Sequence, residues 1–209
     1  MRIALVDYGA GNLTSVRKAF AHLGADVFTP RTPADLAGAA MVVPGVGHFS
    51  ATRSLTPEWH AAVREGLAAG QPLLGICVGM QWLYEGSTEA PDCPGLGVVS
   101  GRCTRLTGGP DGLKVPHVGW NTLEFPKPSC LLAGLAPGAS VYFTHSFAGP
   151  VNAATAAVTE YAGERFAAAV EDGLVMGVQF HPEKSSDAGL TILRNFLQRV
   201  AAMAAPVAR

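Results

Sequence analysis

The chain has 209 residues, of which 48% are hydrophobic and 15% are charged, and its formal net charge at pH 7 is −1. A chain of this length forms one domain or at most two small ones, and it buries a core without help from disulfides or metals. Its apolar content excludes a disordered chain, and its balanced charge argues against sequence-independent binding to nucleic acid or to an anionic membrane. We expect a single domain over residues 1–209, with no nucleic-acid or membrane partner.

Cellular location is indicated by the cysteines and by the apolar runs. No run reaches the ~18 apolar residues of a membrane-spanning helix, and the N-terminal run turns polar at Asp7, too soon for a signal peptide. Cys77, Cys93, Cys103 and Cys130 lack the spacing of a zinc knuckle. We expect a cytoplasmic protein with reduced thiols and no metal, and the sequence assigns the last three cysteines no role beyond packing.

The first 80 residues alternate short apolar runs with segments of helical periodicity. Strands are predicted over 3–8, 26–29, 40–43 and 73–76. Helices are predicted from Leu13 to just before Gly24, over 57–69 and over 80–84. Strands separated by helices imply right-handed crossovers, so we expect an α/β fold with a mostly parallel sheet covered on both faces.

The second part of the chain changes character at about residue 96. It is rich in Gly, Pro and short β-prone pieces, which predict antiparallel or mixed strands over 98–99, 118–123, 141–144, 156–159 and 166–170. A last apolar strand is predicted over 174–180, followed by an amphipathic helix that includes Leu190 and Val200. We expect residues 203–209 to form a frayed tail.

The segment Gly75-Ile76-Cys77-Val78-Gly79 has the Gly-x-nucleophile-x-Gly form of a nucleophile elbow, at a predicted junction of strand and helix. Such a turn lifts one side chain above the sheet, and flanking glycines avoid clashes where the backbone doubles back. The start of a helix also favours thiolate over thiol. A buried structural cysteine is the alternative for Cys77, and the two glycines argue against it.

Six histidines are candidates for the base that such a nucleophile needs. His22 and His60 are expected on helix surfaces, whereas the three histidines in or beside loops can line a site: His48, His117 and His145. His181 is the best candidate, because it ends a strand at the edge where ligands of parallel sheets bind. Glu183, two residues on, projects to the same side and can orient the imidazole, which completes a triad with Cys77.

Backbone N–H groups of Val46 and Val78 are candidates for an oxyanion hole, since glycines at 45 and 47 let a peptide turn toward the site. An ordinary Pro-Gly turn is the alternative for this loop. Gly9-Ala10-Gly11 with Asp26 imitates a dinucleotide fingerprint, but Thr14 stands where a small residue is expected. We therefore favour acyl chemistry over nucleotide binding and expect no cofactor.

These motifs resemble the class I (triad) glutamine amidotransferases, and within them the sequence is more similar to the glutaminase subunits of imidazole glycerol phosphate synthases. Residues 72–81 and 180–185 carry the likeness to the wider family. The narrower likeness depends on residues 7–12, 44–49, 114–121 and 142–147. The resemblance extends over about residues 3–197, and Phe147 stands where tyrosine is common.

The resemblance implies a flavodoxin-like amidotransferase fold and hydrolysis of L-glutamine through a thioester on Cys77, with His181 relaying the proton and Glu183 orienting it. It also implies that the Gly45–Val46 peptide turns its N–H inward when the partner is loaded. The positions that match substrate contacts in the family are Gly47, Gln81, Glu89, His145 and Ser146.

A partner is implied by the same resemblance, since a (β/α)₈-barrel cyclase subunit uses the ammonia in that enzyme. The cyclase converts N′-[(5′-phosphoribulosyl)formimino]-AICAR ribonucleotide to imidazole glycerol phosphate and AICAR, in histidine biosynthesis. Asn12, Trp120 and Lys184 match positions at the docking face. Because free ammonia is protonated and lost, we expect weak glutaminase activity without the partner in this heterodimer.

Three other functions remain open from the residues. The first is a glutaminase of another synthase, such as the one that feeds pyridoxal 5′-phosphate synthesis, although residues 7–12 and 117–121 argue against it. The second is a non-catalytic flavodoxin-like module that binds nucleotide through Gly9 to Gly11, which the retained triad residues disfavour. The third is a cysteine-dependent peptidase on the same fold.

Overall fold

The computed structural model describes residues 2–110 and 112–204. Its strands are β1 (Arg2–Leu5), β2 (Asp26–Phe28), β3 (Ala40–Val43), β4 (Leu73–Ile76), β5 (Gly86–Ser87), β6 (Arg102–Arg105), β7 (His117–Thr122), β8 (Ser140–His145), β9 (Phe147–Ala148), β10 (Thr155–Tyr161), β11 (Glu164–Asp172) and β12 (Val175–Val178). Its helices are α1 (Leu13–His22), α2 (Pro57–Ala68), α3 (Val78–Leu83) and α4 (Ser186–Ala204), with short 3-10 turns over Pro33–Leu36, Phe49–Ser54 and Pro182–Lys184.

A seven-stranded sheet with the order β10-β11-β12-β4-β3-β1-β2 forms the centre of the molecule. The five strands from β12 to β2 run parallel to one another, and β11 and β10 continue the sheet antiparallel. Every residue of β3, β4 and β12 is buried, as expected where helices cover both faces of a parallel sheet. The predicted α/β fold class is confirmed.

Helices α1 and α4 pack against each other beside the parallel strands. Phe20 of α1 and Phe196 of α4 are fully buried and meet edge to face, with their ring centroids 6.1 Å apart. Burying two such side chains contributes about 1.5–3 kcal/mol for each ring. The two rings join α1 to α4 within the hydrophobic core.

A two-stranded antiparallel layer, formed by β7 and β8, lies beside the carboxyl edge of the parallel strands. The His181 N–H donates to the Tyr142 carbonyl at 2.9 Å, and the Tyr142 N–H donates to Ser185 Oγ at 2.9 Å. These bonds join β8 to the segment that follows β12. A third small sheet has the order β5-β6-β9.

Most predicted elements are present, with boundaries that move by one or a few residues. The strands over 40–43 and 73–76 have the predicted bounds, and α1 ends where Gly24 adopts a φ of +79°. The strand predicted over 98–99 is wrong, because the N–H groups of Val98 and Val99 both donate to the Leu83 carbonyl and close a bend after α3.

Strand β6 and the C-terminal tail differ from what the sequence predicts. Strand β6 was missed because its sequence is polar apart from Cys103. The tail expected over 203–209 begins inside α4, which continues to Ala204, and residues 205–209 lie outside the described residues. Among residues 2–110 and 112–204, no helix has the length and apolarity needed to cross a membrane.

Candidate active site

Cys77 occupies a sharp turn between β4 and α3, in a backbone conformation that side-chain-bearing residues rarely adopt, with φ 54° and ψ −109°. The flanking glycines have no room for a side chain. A Cβ on Gly75 would lie 2.5 Å from the Gly79 carbonyl oxygen, and one on Gly79 would lie 1.7 Å from the Val43 oxygen. The surrounding packing therefore holds a strained backbone that presents the cysteine, which is a common feature of functional sites.

His181 and Glu183 form a buried pair beyond the end of β12. His181 Nδ1 lies 2.9 Å from Glu183 Oε1, and each side chain is 2% exposed. Because a carboxylate only accepts, Nδ1 carries the proton in this contact, and Nε2 is the nitrogen left for chemistry. Within the described residues Nε2 has no hydrogen-bond partner. An imidazole held in this way is oriented for proton transfer.

Burial alone would lower the pKa of His181, since it disfavours the charged ring. The neighbouring Cys77 thiol and the Glu183 carboxylate outweigh burial and raise the pKa of His181 to about 9. Both neighbours favour the protonated imidazole, through hydrogen bonding and charge. The raised pKa favours a protonated His181 at neutral pH, and a cationic imidazole near a cysteine is an arrangement that can activate the thiol.

A small cavity of about 200 Å³ opens beside the sulfur. Seven residues singled out in the sequence line it: Gly47, Cys77, Val78, Gln81, Glu89, His145 and Ser146. Three further lining residues, for which the sequence indicated no role in the site, are Pro116, Thr144 and Phe147. Thr144 and Phe147 were missed because the groups that they offer near the site are backbone carbonyls, for which no residue type is diagnostic.

Glu89 provides the carboxylate of this cavity. The Phe49 N–H donates to Glu89 Oε2 at 2.7 Å, and the Glu89 N–H donates to Ser87 Oγ at 3.2 Å, so both ends of the residue are fixed. An anchored carboxylate in the same cavity as a nucleophile suits a small substrate that carries an ammonium group.

The loop 44–47 contacts the elbow at Val78. The two candidate oxyanion donors, the N–H groups of Val46 and Val78, differ in their surroundings. The Val78 N–H donates to the Gly45 carbonyl oxygen at 3.4 Å, so this donor is occupied by the loop itself. Val46 is half-buried beside the cavity lining, and Gly47 has a φ of +99°. A Cβ on Gly45 would lie 2.0 Å from the Tyr8 hydroxyl, so glycine is required there. An oxyanion hole made by Val46 and Val78 stays a prediction.

A directed chain of hydrogen bonds crosses from β7 to the cavity. The His145 Nδ1–H donates to the Phe147 carbonyl at 3.0 Å, so its Nε2 is an acceptor, and the His117 Nδ1–H donates to it at 3.1 Å. Asn121 Nδ2 then lies 3.4 Å from His117 Nε2 and donates to it. Burial lowers the pKa of His117 to about 4 and that of His145 to about 3.

The ring nitrogens of these two histidines are thus occupied by neutral partners, which argues against either as the base. Of the remaining candidates, His48 is exposed and caps the 3-10 turn after it, and His22 is exposed as expected. His60 corrects the expectation of a surface residue, because it is partly buried and accepts a hydrogen bond from Trp82 Nε1 at 3.2 Å. His181 is the histidine whose position matches the role.

Two of the three residues assigned to a docking face belong to one cluster. Trp120 is 53% exposed and meets the ring of Tyr142 edge to face at 6.1 Å, and Lys184 Nζ lies 5.8 Å from that ring. Val118, on the same face of β7, is 56% exposed. Asn12 is exposed at the start of α1, where its Oδ1 accepts from the Ser15 N–H at 3.3 Å. Large apolar side chains exposed side by side are typical of interaction surfaces.

The chain is similar in sequence to a known protein family and to several of its members. A family model for "Glutamine amidotransferase class-I" matches residues 4–200. The chain is 44% identical to the "Imidazole glycerol phosphate synthase subunit HisH" of Deinococcus radiodurans, over 95% of this chain and 94% of that protein. It is 46% identical to the HisH subunit of Gloeobacter violaceus, over 97% and 92%, and 42% identical to that of Methanothermobacter thermautotrophicus, over 96% and 100%.

Solved structures agree with the fold. A structure described as a glutamine amidotransferase superposes with a TM-score of 0.73 at 22% identity, over 95% of this chain and 98% of that one. A chain of PurLQS from Thermotoga maritima superposes with a TM-score of 0.71 at 18% identity, over 94% and 97%. At these identities the likeness concerns the architecture alone.

Proposed function

The chain belongs to the class-I glutamine amidotransferases and, within them, to the family of the imidazole glycerol phosphate synthase subunit HisH, and we propose that Cys77, His181 and Glu183 are its catalytic residues. It is a glutaminase, and we take residues 1–209 as a single amidotransferase domain. The observation that carries the assignment of residues is the buried His181–Glu183 pair beside a cysteine held at a strained elbow. Membership of this family argues against two of the alternative functions, a nucleotide-binding module and a cysteine-dependent peptidase.

The reaction begins when the Cys77 thiolate attacks the side-chain amide carbon of L-glutamine and forms a carbon–sulfur bond. His181 gives its Nε2 proton to the leaving nitrogen, the carbon–nitrogen bond breaks, and ammonia departs. His181 then takes a proton from water, whose oxygen attacks the thioester and releases glutamate and the cysteine sulfur. Glu183 keeps Nδ1–H in place through both steps, so Nε2 always faces the reacting atoms.

The cavity supplies the contacts that hold the substrate. Glu89 is fixed by the Phe49 N–H and faces the α-ammonium group of glutamine. The remaining polar groups are held by residues that line the same cavity: Gln81, Gly47, His145 and Ser146. These roles come to this chain from the family resemblance, and the common lining of one cavity supports them. No cofactor takes part in the proposed chemistry.

The oxyanion hole requires a movement of the loop 44–47. The Gly45 carbonyl occupies the Val78 N–H, so it must leave before that donor can serve the tetrahedral intermediate. Rotation of the Gly45–Val46 peptide removes the carbonyl and turns the Val46 N–H inward in one motion. One such donor contributes roughly 3 kcal/mol in the transition state. In the resting state, without the oxyanion hole, glutamine hydrolysis is slow. Little ammonia is therefore released before the partner can use it.

The ammonia passes to a cyclase subunit, by analogy with the synthase in which the HisH relatives are subunits. We assign the docking face to the cluster of Trp120 and Lys184, together with Asn12 at the start of α1. The cyclase forms imidazole glycerol phosphate and AICAR in histidine biosynthesis, and the heterodimer works in the cytoplasm. The identities of 42–46% to HisH subunits favour this partner over a pyridoxal 5′-phosphate synthase.

The test is glutamine hydrolysis by the full chain alone, with the cyclase of its own organism, and with the cyclase and its ribonucleotide ligand. We expect slow hydrolysis alone and strong stimulation when both are present. A rate that is equally high without the cyclase would contradict the resting oxyanion loop. A chain stimulated by the synthase component of pyridoxal 5′-phosphate synthesis instead would overturn the choice of partner.

A further inference from the structure

Gln179 is a fully buried polar side chain in contact with both Cys77 and Gln81, and no motif in the sequence singled it out. It follows β12 directly and precedes His181 by two residues. Its backbone N–H donates to the Ala168 carbonyl of β11 at 2.8 Å, so the sheet fixes the point from which the side chain starts. A buried amide at such a place needs partners for both of its ends.

The orientation of the Gln179 amide follows from its neighbours. Gln81 Nε2 donates to the Phe147 carbonyl oxygen at 2.8 Å, and because a carbonyl only accepts, this contact identifies the amino end of Gln81. The same amino group donates to Gln179 Oε1 at 3.2 Å. The amino end of Gln179 is therefore the end that lies 3.7 Å from Cys77 Sγ and donates to it.

Two neutral groups that contact the sulfur favour opposite protonation states of the thiol. The Thr144 carbonyl oxygen lies 3.9 Å from Cys77 Sγ and only accepts, so it favours the S–H form. The N–H of Gln179 only donates, so it favours the thiolate. Because an amide does not titrate, Gln179 offers this donor at every pH, whereas the proton on His181 moves during the reaction.

We propose that Gln179 is a positioning residue for the glutaminase reaction, an inference that rests on the proposed catalytic role of Cys77. One end of its amide stabilises the thiolate, and the other end holds Gln81 against the substrate. Because both ends belong to one planar amide, the distance between the Cys77 sulfur and the Gln81 side chain stays nearly constant. Gln179 lies behind Cys77 and Gln81, which line the cavity, and acts through them.

The other ionisable groups around the sulfur are the same in every variant compared below. His181 and Glu183 approach from the segment after β12, and Tyr8 approaches from the loop after β1. His145 lies at the end of β8, and Glu89 lies in the cavity wall. A change in the pH dependence of the sulfur on substitution of Gln179 is therefore attributable to the lost amide.

The test is the pH dependence of alkylation of Cys77 by iodoacetamide in the full chain. Mass spectrometry of the peptide that carries Cys77 follows the reaction, because Cys130 is exposed and can be alkylated as well. In Gln179→Met, which keeps the length of the side chain but lacks the amide, we expect the midpoint to rise by about one pH unit. In the complex with the cyclase, we expect kcat for glutamine to fall roughly tenfold and KM to rise, because Gln81 loses an anchor.

A matched control is Gln71→Met, which removes a hydrogen-bonded amide elsewhere. Gln71 is half-buried and donates to the Leu36 and Ala39 carbonyls, so its loss should leave the midpoint, kcat and KM unchanged. A merely structural role would lower the unfolding temperature of Gln179→Met without moving the midpoint, and that result would overturn the inference. If Gln179→Met does not fold, the same midpoint is measured in Gln179→Asn. Its side chain is one methylene shorter, so the amide no longer reaches Cys77. An upward shift in that variant supports the inference, and the wild-type midpoint overturns it.

Cys77→Ala separates this inference from the proposed function. If Cys77→Ala hydrolyses glutamine at the wild-type rate, the proposed catalytic residues are wrong. If Cys77→Ala is inactive while Gln179→Met keeps the wild-type midpoint and kinetics, the catalytic assignment stands and only the role of Gln179 is wrong.

Discussion

Gly79 lies where the first turn of α3 passes the end of β3, and its lack of a side chain is what lets the elbow approach the sheet. A Cβ at this position would lie 1.7 Å from the Val43 carbonyl oxygen, which is backbone and cannot move aside. In Gly79→Ala we expect a loss of more than about 3 kcal/mol in the free energy of unfolding, because overpacking against backbone is not relieved by side-chain rotation. Urea unfolding measures this loss.

The matched substitution is Gly24→Ala. Gly24 has a φ of +79° with open space around its Cα, so only the backbone conformation is penalised, by about 1 kcal/mol. If Gly79→Ala were no more destabilising than Gly24→Ala, close packing of Gly79 against Val43 would not be what requires glycine there.

His181 makes the stability of the protein depend on pH above neutrality. Its folded-state pKa is raised to about 9, against burial, by Cys77 and Glu183, while the unfolded value is about 6.5. The folded state therefore holds the proton more tightly, and the stabilisation is complete below pH ~6.5 and is lost as the pH rises through about 9. In Glu183→Gln one of the groups that raise the pKa is gone, so we expect a shallower decline over this range.

Urea unfolding between pH 6.5 and pH 9 checks this expectation. Glu124→Gln is the control, because Glu124 is 61% exposed and pairs with Arg165, away from His181. We expect Glu124→Gln to follow the wild-type slope. Equal slopes for Glu183→Gln and the wild type would show that Glu183 does not hold the proton on His181.

For single residues, the sequence was enough to predict that Cys77, His181 and Glu183 lie near one another. Cys77 follows β4 and the other two follow β12, and both of these apolar strands end at the same edge of the sheet. Gln179 was not foreseen, since its role depends on the direction of an amide that Gln81 of α3 and Phe147 of β9 determine. The occupation of the Val78 N–H by the Gly45 carbonyl was not foreseen either, because residue types do not record the rotation of a peptide.

Strands β7 and β8 are coupled by the hydrogen bond between His117 and His145, and this pair makes the layer sensitive to acid. Burial lowers the pKa of His117 to about 4 and that of His145 to about 3, against about 6.5 when unfolded. The stabilisation is complete above pH ~6.5 and is lost as the pH falls through about 4 to 3, since the unfolded chain takes up protons that the folded chain excludes.

His117→Phe tests this coupling, because phenylalanine retains stacking between Phe143 and Tyr161 but does not titrate. We expect the fall in unfolding free energy between pH 7 and pH 4.5 to shrink by roughly half, because one of two titrating groups is removed. The variant should also be less stable at pH 7, since His145 Nε2 loses its donor. His22→Asn, at an exposed position, should retain the wild-type fall, and an identical fall in His117→Phe would be inconsistent with buried neutral histidines.

Elements with one clear periodicity were predicted well, and those held by contacts distant in sequence were not. Strands β3 and β4 are buried on both faces and therefore read as continuous apolar runs. Val98 and Val99 have high β-propensity, yet the Leu83 carbonyl at the end of α3 captures both of their N–H groups. Strand β6 is polar because only Cys103 faces the interior, so its pairing with β5 and β9 left little trace in the sequence.

The molecule presents its active site and an exposed aromatic cluster from the same end of the sheet, because β8 contributes both Tyr142 and His145. Trp120 is 53% exposed, which suits a residue that becomes buried on docking. We expect Trp120→Ala to weaken the affinity for the cyclase at least tenfold, as measured by titration calorimetry. Val151→Ala, at an apolar residue that is 49% exposed on the loop after β9, should bind normally. Equal affinities for the two variants would place the interface elsewhere.

The central claim, that Cys77 releases the ammonia which a partner consumes, is tested most directly by Cys77→Ala in the complex with the cyclase. Synthesis of imidazole glycerol phosphate is measured first with glutamine and then with an ammonium salt as the nitrogen source. We expect the glutamine-dependent rate to vanish and the ammonium-dependent rate to match that of the wild-type complex. Retention of the glutamine-dependent rate, or loss of both rates in a complex that still assembles, would contradict the account.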